Sequence, residues 1–244
     1  MTALSVNVNK LALLRNSRGR NFPDLALFGE RLLAMGAHGL TVHPRPDERH
    51  VKFADLPVLS KLVARFPGRE FNIEGFPSAD FVQRVIAVKP QQCTLVPDAA
   101  NQLTSDHGWD LKQQGNELRS VIAQLQQRGI RVSLFLDPDP AQAALAKSFG
   151  TDRIELYTEG YAHAFGTADQ TRVLDQYRAA AERAQQDGIG VNAGHDLDLR
   201  NLPAFLAIPG ILEVSIGHAL TIECIEQGMA PVIAQYLQIC GGGH

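Results

Sequence analysis

Two alternating patterns run through the whole sequence and limit the folds that the chain can adopt. Short runs with β-strand character, each ending in a polar residue, alternate with amphipathic stretches of helical spacing that end at Gly or Pro. The predicted strands occupy 4–7, 40–43, 71–74, 93–96, 131–136, 154–157, 190–192 and 212–216. Alternating strands and helices indicate parallel strands joined by right-handed crossovers, and eight such units can close into a barrel.

The helical stretches complete this pattern without a change of composition that would mark a domain boundary. They occupy 23–35, 55–64, 79–88, 113–127, 140–149, 170–187, 203–207 and 221–239. We therefore predict an α/β fold, a (βα)8 TIM barrel with a parallel eight-stranded core, as a single domain over 1–240 with a disordered tail at 241–244. A doubly wound open sheet is the alternative, but no Gly-rich dinucleotide motif follows the first strand.

Composition bears on the partners that the protein can have. A net charge of −3 leaves no positive surplus for nucleic acid or an anionic membrane. No apolar run approaches the ~18 residues of a membrane span, and the N-terminal stretch lacks the apolar core of a signal peptide. The three cysteines are odd in number and scattered, which favours reduced thiols and a cytoplasmic location. The expected partners are small molecules.

Polar side chains collect where the predicted strands end. In a (βα)8 barrel these positions converge on the face that carries the active site. They are Asn7, Asn9, Lys10, His43, Arg45, Glu74, Thr104, Asp137, Glu155, Asn192, His195, Gly217 and His218. Glu74 and Glu155 follow apolar residues on strands that should be buried, where an unpaired carboxylate is costly, so we interpret both as functional. Asn7 and Asn192 can equally satisfy backbone groups in turns, and Asp137 is interpreted as part of a turn that leads into a helix.

The second strand exit and the last two exits favour an anionic ligand. His43, Arg45, Arg49 and His50 place four potential cations on one proline-braced loop. Arg45, together with Arg15 and Arg18 near the first strand, is suited to bidentate contact with phosphate. The glycine-containing exits of strands seven and eight, at 194–195 and 217–219, let backbone N–H groups approach a second phosphate. Two phosphate sites imply two phosphorylated substrates or one bisphosphate.

A metal is the competing interpretation of the histidines. Zinc and iron barrels place ligands as His-x-His or as a carboxylate with a nearby histidine, and no two strand-exit histidines share a strand end at such a spacing. Arg45 beside His43 and Arg49 beside His50 would also repel a dication. The sequence therefore predicts no metal.

These residues together resemble the pyridoxine 5′-phosphate synthase family over nearly the whole chain. The motifs are Val6-Asn7-Val-Asn9-Lys10, Leu14-Arg15-Asn16-Ser17-Arg18-Gly19, Thr41-Val-His43-Pro-Arg45 through Arg49-His50, Phe71-Asn-Ile-Glu74, Leu95-Val-Pro97, Val132-Ser-Leu-Phe135, Ile154-Glu155, Val191-Asn-Ala-Gly-His195 and Ile216-Gly-His218-Ala219. The resemblance implies a (βα)8 barrel, typically a homo-octamer, that needs no metal or organic cofactor. The implied reaction condenses 3-amino-2-oxopropyl phosphate with 1-deoxy-D-xylulose 5-phosphate to give pyridoxine 5′-phosphate, phosphate and water.

The resemblance also implies residue roles. His43 would accept a proton, Glu74 would act as a second general acid/base and His195 would donate a proton. Glu155 would stabilise a transition state. The aminoketone phosphate would contact Asn7, Arg18, the amide of Asp196, Gly217 and His218. The deoxyxylulose phosphate would contact Asn9, Lys10, Arg45, His50 and Thr104.

The chain departs from the family pattern at two places. Many members have Asp-His where this chain has Asn9-Lys10, and Gly where it has Asp196. The first departure concerns the handling of the phosphosugar. The second places a carboxylate near a phosphate, which is unfavourable unless the side chain points away. Two alternatives from other classes remain: a metal-dependent barrel isomerase or hydrolase acting on a phosphosugar, and a non-catalytic phosphosugar-binding protein.

Overall fold

Eight parallel strands close into a barrel in the computed structural model, which describes residues 1–98, 102 and 104–242. The strands are β1 (Ala3–Asn7), β2 (Gly39–Val42), β3 (Glu70–Gly75), β4 (Gln92–Leu95), β5 (Arg131–Leu136), β6 (Arg153–Tyr157), β7 (Gly190–Gly194) and β8 (Ile211–Ile216). Each strand pairs with the next in sequence, and β8 pairs with β1 in a register that places Leu4 beside Val214. The sheet therefore has no free edge, and the predicted (βα)8 barrel is confirmed.

Helices surround the barrel. They are α1 (Asn9–Asn16), α2 (Leu25–Ala34), α3 (Asp55–Val63), α4 (Ala79–Val88), α5 (Leu111–Gln114), α6 (Leu118–Gln126), α7 (Pro140–Phe149), α8 (Glu159–Ala164), α9 (Gln170–Gln186), α10 (Leu202–Phe205), α11 (His218–Gln227) and α12 (Met229–Cys240). Local chemistry sets several of their ends. The Ser78 hydroxyl caps α4 by accepting the Phe81 N–H, and the Asp139 carboxylate caps α7 at the Ala141 N–H. Gly150 ends α7 in the left-handed region, at φ 78°.

The structure corrects the helix predictions in three places. The single helix expected over 221–239 is wrong, because Gly228 (φ 88°, ψ 150°) separates α11 from α12. The helix expected over 113–127 is divided by a 3-10 turn at Gly115–Glu117, where Gly115 lies against the Phe149 ring with no room for a Cβ. Helices α1 and α8 lie in segments for which no helix was predicted. Of the tail expected at 241–244, Gly241 and Gly242 form a turn, and residues 243 and 244 lie outside the described residues.

The apolar core lies between the strands and the helices, whereas the barrel lumen, the space enclosed by the strands, is polar. Buried polar residues that alternate with apolar ones along the strands are Ser5, Thr41, Asn72, Gln92, Thr94, Ser133, Glu155, Asn192, Glu213 and Ser215. Hydrogen bonds cross the lumen: Gln92 on β4 donates to Glu213 on β8 at 3.1 Å, and Asn192 on β7 donates to Gln92 at 3.3 Å. Most barrels of this kind fill the lumen with branched apolar side chains. Here the lumen forms a hydrogen-bonded floor beneath the strand exits.

In the part of the chain that the structure describes, no helix has the length and apolar character needed to cross a membrane.

Candidate active site

Two carboxyl groups face the lumen beneath the strand exits, one on β3 and one on β6. Glu155 on β6 is buried, and its Oε2 accepts a hydrogen bond from the Thr94 hydroxyl at 3.3 Å. Glu74 on β3 is the direct register partner of Thr94 and retains some contact with solvent. Gly194 on β7 leaves space for the Glu155 carboxylate, which a Cβ at that position would overlap. Three strands and one glycine thus bring the two carboxyls together.

Burial changes the acidity of this pair. Burial raises the pKa of Glu74 well above its ordinary value, and the neighbouring Glu155 and Asp98 carboxyls raise it further. Burial also raises the pKa of Glu155, with Glu213 on the lumen floor adding to the effect. Two close carboxyls in a low-dielectric space cannot both ionise without cost. The pair can therefore hold a proton at a pH where an isolated glutamate has lost it.

His43 lies directly after β2 and is held by a chain of backbone contacts. Its N–H donates to the Asn9 Oδ1 at 2.9 Å, and the Asn9 N–H donates to the Asn7 Oδ1 at 3.0 Å. The His43 and His50 rings are edge-on, with centroids 6.2 Å apart. Burial lowers the pKa of His43 well below its usual range and that of His50 to about 4, and Arg45 contributes to both shifts. Both imidazoles are therefore neutral near neutral pH, and His43 is able to accept a proton.

Arg45, which follows His43 by two residues, is enclosed in a buried ion pair. Its Nη2 donates to the Asp98 Oδ2, and its Nη1 donates to the Gln102 carbonyl oxygen at 2.8 Å. The same Asp98 oxygen accepts a hydrogen bond from the Ser105 hydroxyl at 2.7 Å. Sequence reasoning missed Asp98. The signal for it was its place directly behind Pro97, at the exit of the fourth strand.

The exit of β7 is an unusual turn. His195 and Asp196 follow β7 with φ values of 89° and 57°, a left-handed conformation that non-glycine residues seldom adopt. The His195 Nε2 lies 3.2 Å from the Thr104 hydroxyl, and its Nδ1 lies 2.9 Å from the Asp196 Oδ2. The His195 ring also contacts Tyr157 in a T-shaped arrangement, with centroids 5.0 Å apart. The Asp196 carboxylate thus faces the imidazole.

The backbone amides without an acceptor among the described residues at the exits of β7 and β8 include those of Asp196, Gly217 and His218. Gly217 packs so closely on Asn7 that a Cβ would lie 2.9 Å from the Asn7 Cβ. His218 begins α11, a ten-residue helix whose N-terminus carries partial positive charge. Unpaired amides at a helix N-terminus are suited to a phosphate group.

The remaining predicted site residues are distributed differently. Arg15 is buried and forms a bidentate ion pair with Asp55 at 2.7 and 2.8 Å. Its guanidinium therefore binds a carboxylate of the chain itself, and not the phosphate that the sequence suggested. Lys10 is exposed and near enough to His50 and Asp196 to lower the pKa of each. Arg18 is exposed at the end of α1, and its side chain forms no hydrogen bond or ion pair within the described part of the chain.

Across the described ranges, no cluster of three or more His, Cys, Asp or Glu side chains is arranged to hold a metal ion.

A closed parallel barrel with acid–base groups and free amides at the carboxyl ends of its strands is the architecture of (βα)8-barrel enzymes. Among solved structures, 3-hexulose-6-phosphate synthase matches with a TM-score of 0.65 at 13% identity, over 98% of this chain and 99% of that chain. N-(5′-phosphoribosyl)anthranilate isomerase from Pyrococcus furiosus matches with a TM-score of 0.60 at 10% identity, over 99% of this chain and 100% of that chain. At these identities the likeness shows the fold alone.

The sequence comparisons are more specific. Residues 4–242 match the family described as pyridoxal phosphate biosynthesis protein PdxJ. A pyridoxine 5′-phosphate synthase of Chelativorans sp. (strain BNC1) is 49% identical over 242 residues, covering 97% of this chain and 98% of that protein. One of Allorhizobium ampelinum is 51% identical over 243 residues, covering 98% of this chain and 97% of that protein. The chain therefore belongs to the PdxJ family, as the motif resemblance indicated, and like these relatives it is a synthase.

Proposed function

We propose that the protein condenses 3-amino-2-oxopropyl phosphate with 1-deoxy-D-xylulose 5-phosphate, giving pyridoxine 5′-phosphate, inorganic phosphate and water. The observation that carries this proposal is the near-full-length match to relatives named pyridoxine 5′-phosphate synthase. The reaction forms an imine, eliminates phosphate and closes a ring, so protons must move on and off carbon, nitrogen and oxygen. Such a sequence needs several general acids and bases with different pKa values.

His43 is the proton acceptor in this proposal. Its buried, neutral imidazole supports the role, because a base must be unprotonated before it acts. Arg45 and His50 beside it disfavour the imidazolium form in the absence of substrate. The anionic phosphosugar adds negative charge to this part of the site and lowers the cost of protonating His43.

Glu74 acts as the second general acid/base, and Glu155 stabilises positive charge that develops in the transition state. The raised pKa of Glu74 supports its role, because the group keeps its proton at a pH where an ordinary glutamate has lost it and can donate that proton to the substrate. Glu155 shares the same lumen and is anchored by Thr94, so a proton on one carboxyl allows the other to remain ionised. A carboxylate in that position offsets the charge of an iminium group.

His195 is the proton donor. It lies on the loop that follows β7, with its Nε2 3.2 Å from the Thr104 hydroxyl, whereas His43 follows β2. A donor and an acceptor supplied by different strands allow one group to give a proton while the other removes one.

Two phosphate-binding regions serve the two substrates. The free amides of Asp196, Gly217 and His218 support binding of the aminoketone phosphate, with Asn7 and Arg18 completing the set. The deoxyxylulose phosphate is assigned to Asn9, Lys10, Arg45, His50 and Thr104. Arg45 still has N–H donors beyond those used by Asp98 and Gln102, because a guanidinium carries five. From the same resemblance we propose assembly as a homo-octamer.

Incubation of the purified protein with both substrates tests the reaction. We expect pyridoxine 5′-phosphate, measured by chromatography with fluorescence detection, and inorganic phosphate in equal amounts. Turnover should persist in a chelator. Loss of turnover that one metal restores would instead indicate a metal-dependent barrel enzyme. Tight binding of the phosphosugar without any product would indicate a binding protein.

A further inference from the structure

We infer that the Asp196 carboxylate is a positioning group for His195: it holds the imidazole in the tautomer with hydrogen on Nδ1, which leaves Nε2 to exchange the catalytic proton. This inference rests on the proposed function, in which His195 is the proton donor. It gives the Asp196 side chain a task separate from that of its backbone amide, which is assigned to phosphate.

The backbone of the turn is fixed independently of the two side chains. The Thr158 hydroxyl donates to the Gly194 carbonyl oxygen at 2.8 Å and also to the His195 carbonyl oxygen. The Asn201 side-chain amide donates to the Asp196 carbonyl oxygen at 3.0 Å. These contacts hold two consecutive residues in the left-handed region, where backbone strain is maintained only by surrounding structure. Their side chains consequently leave the turn side by side.

The contact between these side chains determines where the imidazole hydrogen lies. An ionised carboxylate only accepts hydrogen bonds, so the His195 Nδ1 must carry the hydrogen at its 2.9 Å contact with the Asp196 Oδ2. Nε2 is then the nitrogen that gains and loses a proton, and the Thr104 hydroxyl lies 3.2 Å from it. Tyr157 packs edge-on against the ring and limits its rotation. The ring is therefore held on three sides with a defined reactive nitrogen.

Asp196 remains ionised under the conditions in which the enzyme works. The hydrogen bond from His195 lowers the pKa of Asp196, and His218 and Lys10 lower it further. The carboxylate is directed at the imidazole, so it does not occupy the space in front of its own amide. A negative group on this loop is thereby compatible with phosphate binding at the same residue.

Two substitutions separate this role from a structural one. Asp196→Gly and Asp196→Asn both suit the left-handed backbone, because Gly has no Cβ and Asn tolerates this region. Asp196→Gly removes the carboxylate, whereas Asp196→Asn keeps a neutral acceptor that can face Nδ1. Asp187→Asn is the matched control, since it removes an ion-paired carboxylate at the end of α9, before β7, away from the strand exits.

The first measurement is the ¹⁵N NMR signature of the His195 imidazole in the substrate-free protein, which reports the tautomer without turnover. We expect Nδ1–H in the wild type, a mixture of tautomers in Asp196→Gly, and predominantly Nδ1–H in Asp196→Asn. The second is steady-state kinetics. Loss of a hydrogen bond to a charged group should lower kcat about tenfold in Asp196→Gly, with an intermediate loss in Asp196→Asn and nearly unchanged KM values. The control should match the wild type in both measurements.

The inference is overturned if Asp196→Gly keeps both the wild-type tautomer and the wild-type kcat. It is also overturned if the variant raises only the KM for the aminoketone phosphate, because the carboxylate would then act in binding. A wild-type protein that makes no pyridoxine 5′-phosphate refutes the proposed function, while the NMR result still reports whether Asp196 orients His195.

Discussion

Glu74 and Glu155 share the lumen, and replacing Glu74 by glutamine changes the acid–base chemistry without removing volume. In Glu74→Gln the amide fills the same position but cannot transfer a proton. We expect kcat to fall by ~10²–10⁴, the usual contribution of a general acid/base, with substrate binding and folding largely retained. Steady-state kinetics and circular dichroism on the same preparation measure both properties. A variant with nearly normal kcat would remove Glu74 from the catalytic set.

Lys10 is an exposed cation in the first turn of α1, and its contribution to substrate binding can be tested by substitution. The charge of Lys10 lowers the pKa of His50 and of Asp196, which supports the proposed contact with the deoxyxylulose phosphate. A hydrogen bond to a charged group contributes ~1.5–3 kcal/mol, so Lys10→Ala should weaken use of that substrate by ~10–100-fold. The aminoketone phosphate should be affected much less.

A matched variant tests the charge itself. Lys10→His should recover activity mainly below neutral pH, where an imidazole is protonated. The comparison requires the KM of each substrate at several pH values. Equal changes for both substrates, or no change for either, would show that Lys10 is not the ligand of the phosphosugar.

At the scale of elements, strands β3, β6 and β8 each bring a buried or partly buried carboxyl into the lumen, and this arrangement makes stability depend on pH. Burial raises the folded-state pKa of Glu74, Glu155 and Glu213. Between the ordinary carboxyl pKa and these raised values, the folded chain binds more protons than the unfolded chain. The contribution of these three carboxyls to the free energy of unfolding therefore decreases as pH rises through that window.

Glu155→Gln should remove one such contribution. We expect the variant to gain Tm relative to the wild type as pH rises above the ordinary carboxyl pKa of 4.5. Each unit by which the folded pKa exceeds that value corresponds to about 1.4 kcal/mol, or roughly 3–6 °C for a chain of this size. His43 and His50 have lowered pKa values and act in the opposite direction below pH 6.5, but they are present in both proteins. Calorimetry across pH measures the difference, and parallel Tm profiles would contradict the expectation.

The elements differ in how well the sequence predicts them. Helices α4 and α7 and strand β5 have the predicted bounds, because capping residues such as Ser78 and Gly150 act locally. The polar lumen has no local signature: Gln92 and Glu213 meet across the barrel although they are 121 positions apart. An isolated polar residue within a strand pattern does not show which neighbour will satisfy it.

In the candidate site, too, the sequence predicts some features and not others. Strand periodicity and the convergence of strand exits in a barrel were sufficient to bring His43, Glu74 and His195 into one list. The partners of these residues depended on backbone conformations that spacing does not reveal. The left-handed turn that directs Asp196 toward His195 and the buried pairing of Asp98 with Arg45 are of this kind.

At the scale of the whole molecule, one face of the barrel has apolar side chains that the chain itself does not cover. Helices α1 and α11 pack against each other. Leu13 and Leu14 on α1 are 46% and 49% exposed, and Ile222 and Ile225 on α11 are 43% and 70% exposed. Neighbouring apolar side chains at a surface are typical of a contact with another protein molecule. We expect this face to be one of the contact surfaces of the proposed homo-octamer.

Ile225→Glu tests that surface, since it places a charge where an assembly would bury an apolar side chain. An unpaired charge at a buried interface is strongly unfavourable, so the variant should dissociate into smaller species. Gln124→Glu adds the same charge on an exposed position of α6 and is the matched control. Sedimentation velocity should give about eight times the chain mass for the wild type and the control, and a smaller mass for Ile225→Glu. An Ile225→Glu protein that sediments like the wild type would show that α11 lies outside the contacts, and a monomeric wild type would refute the octamer itself.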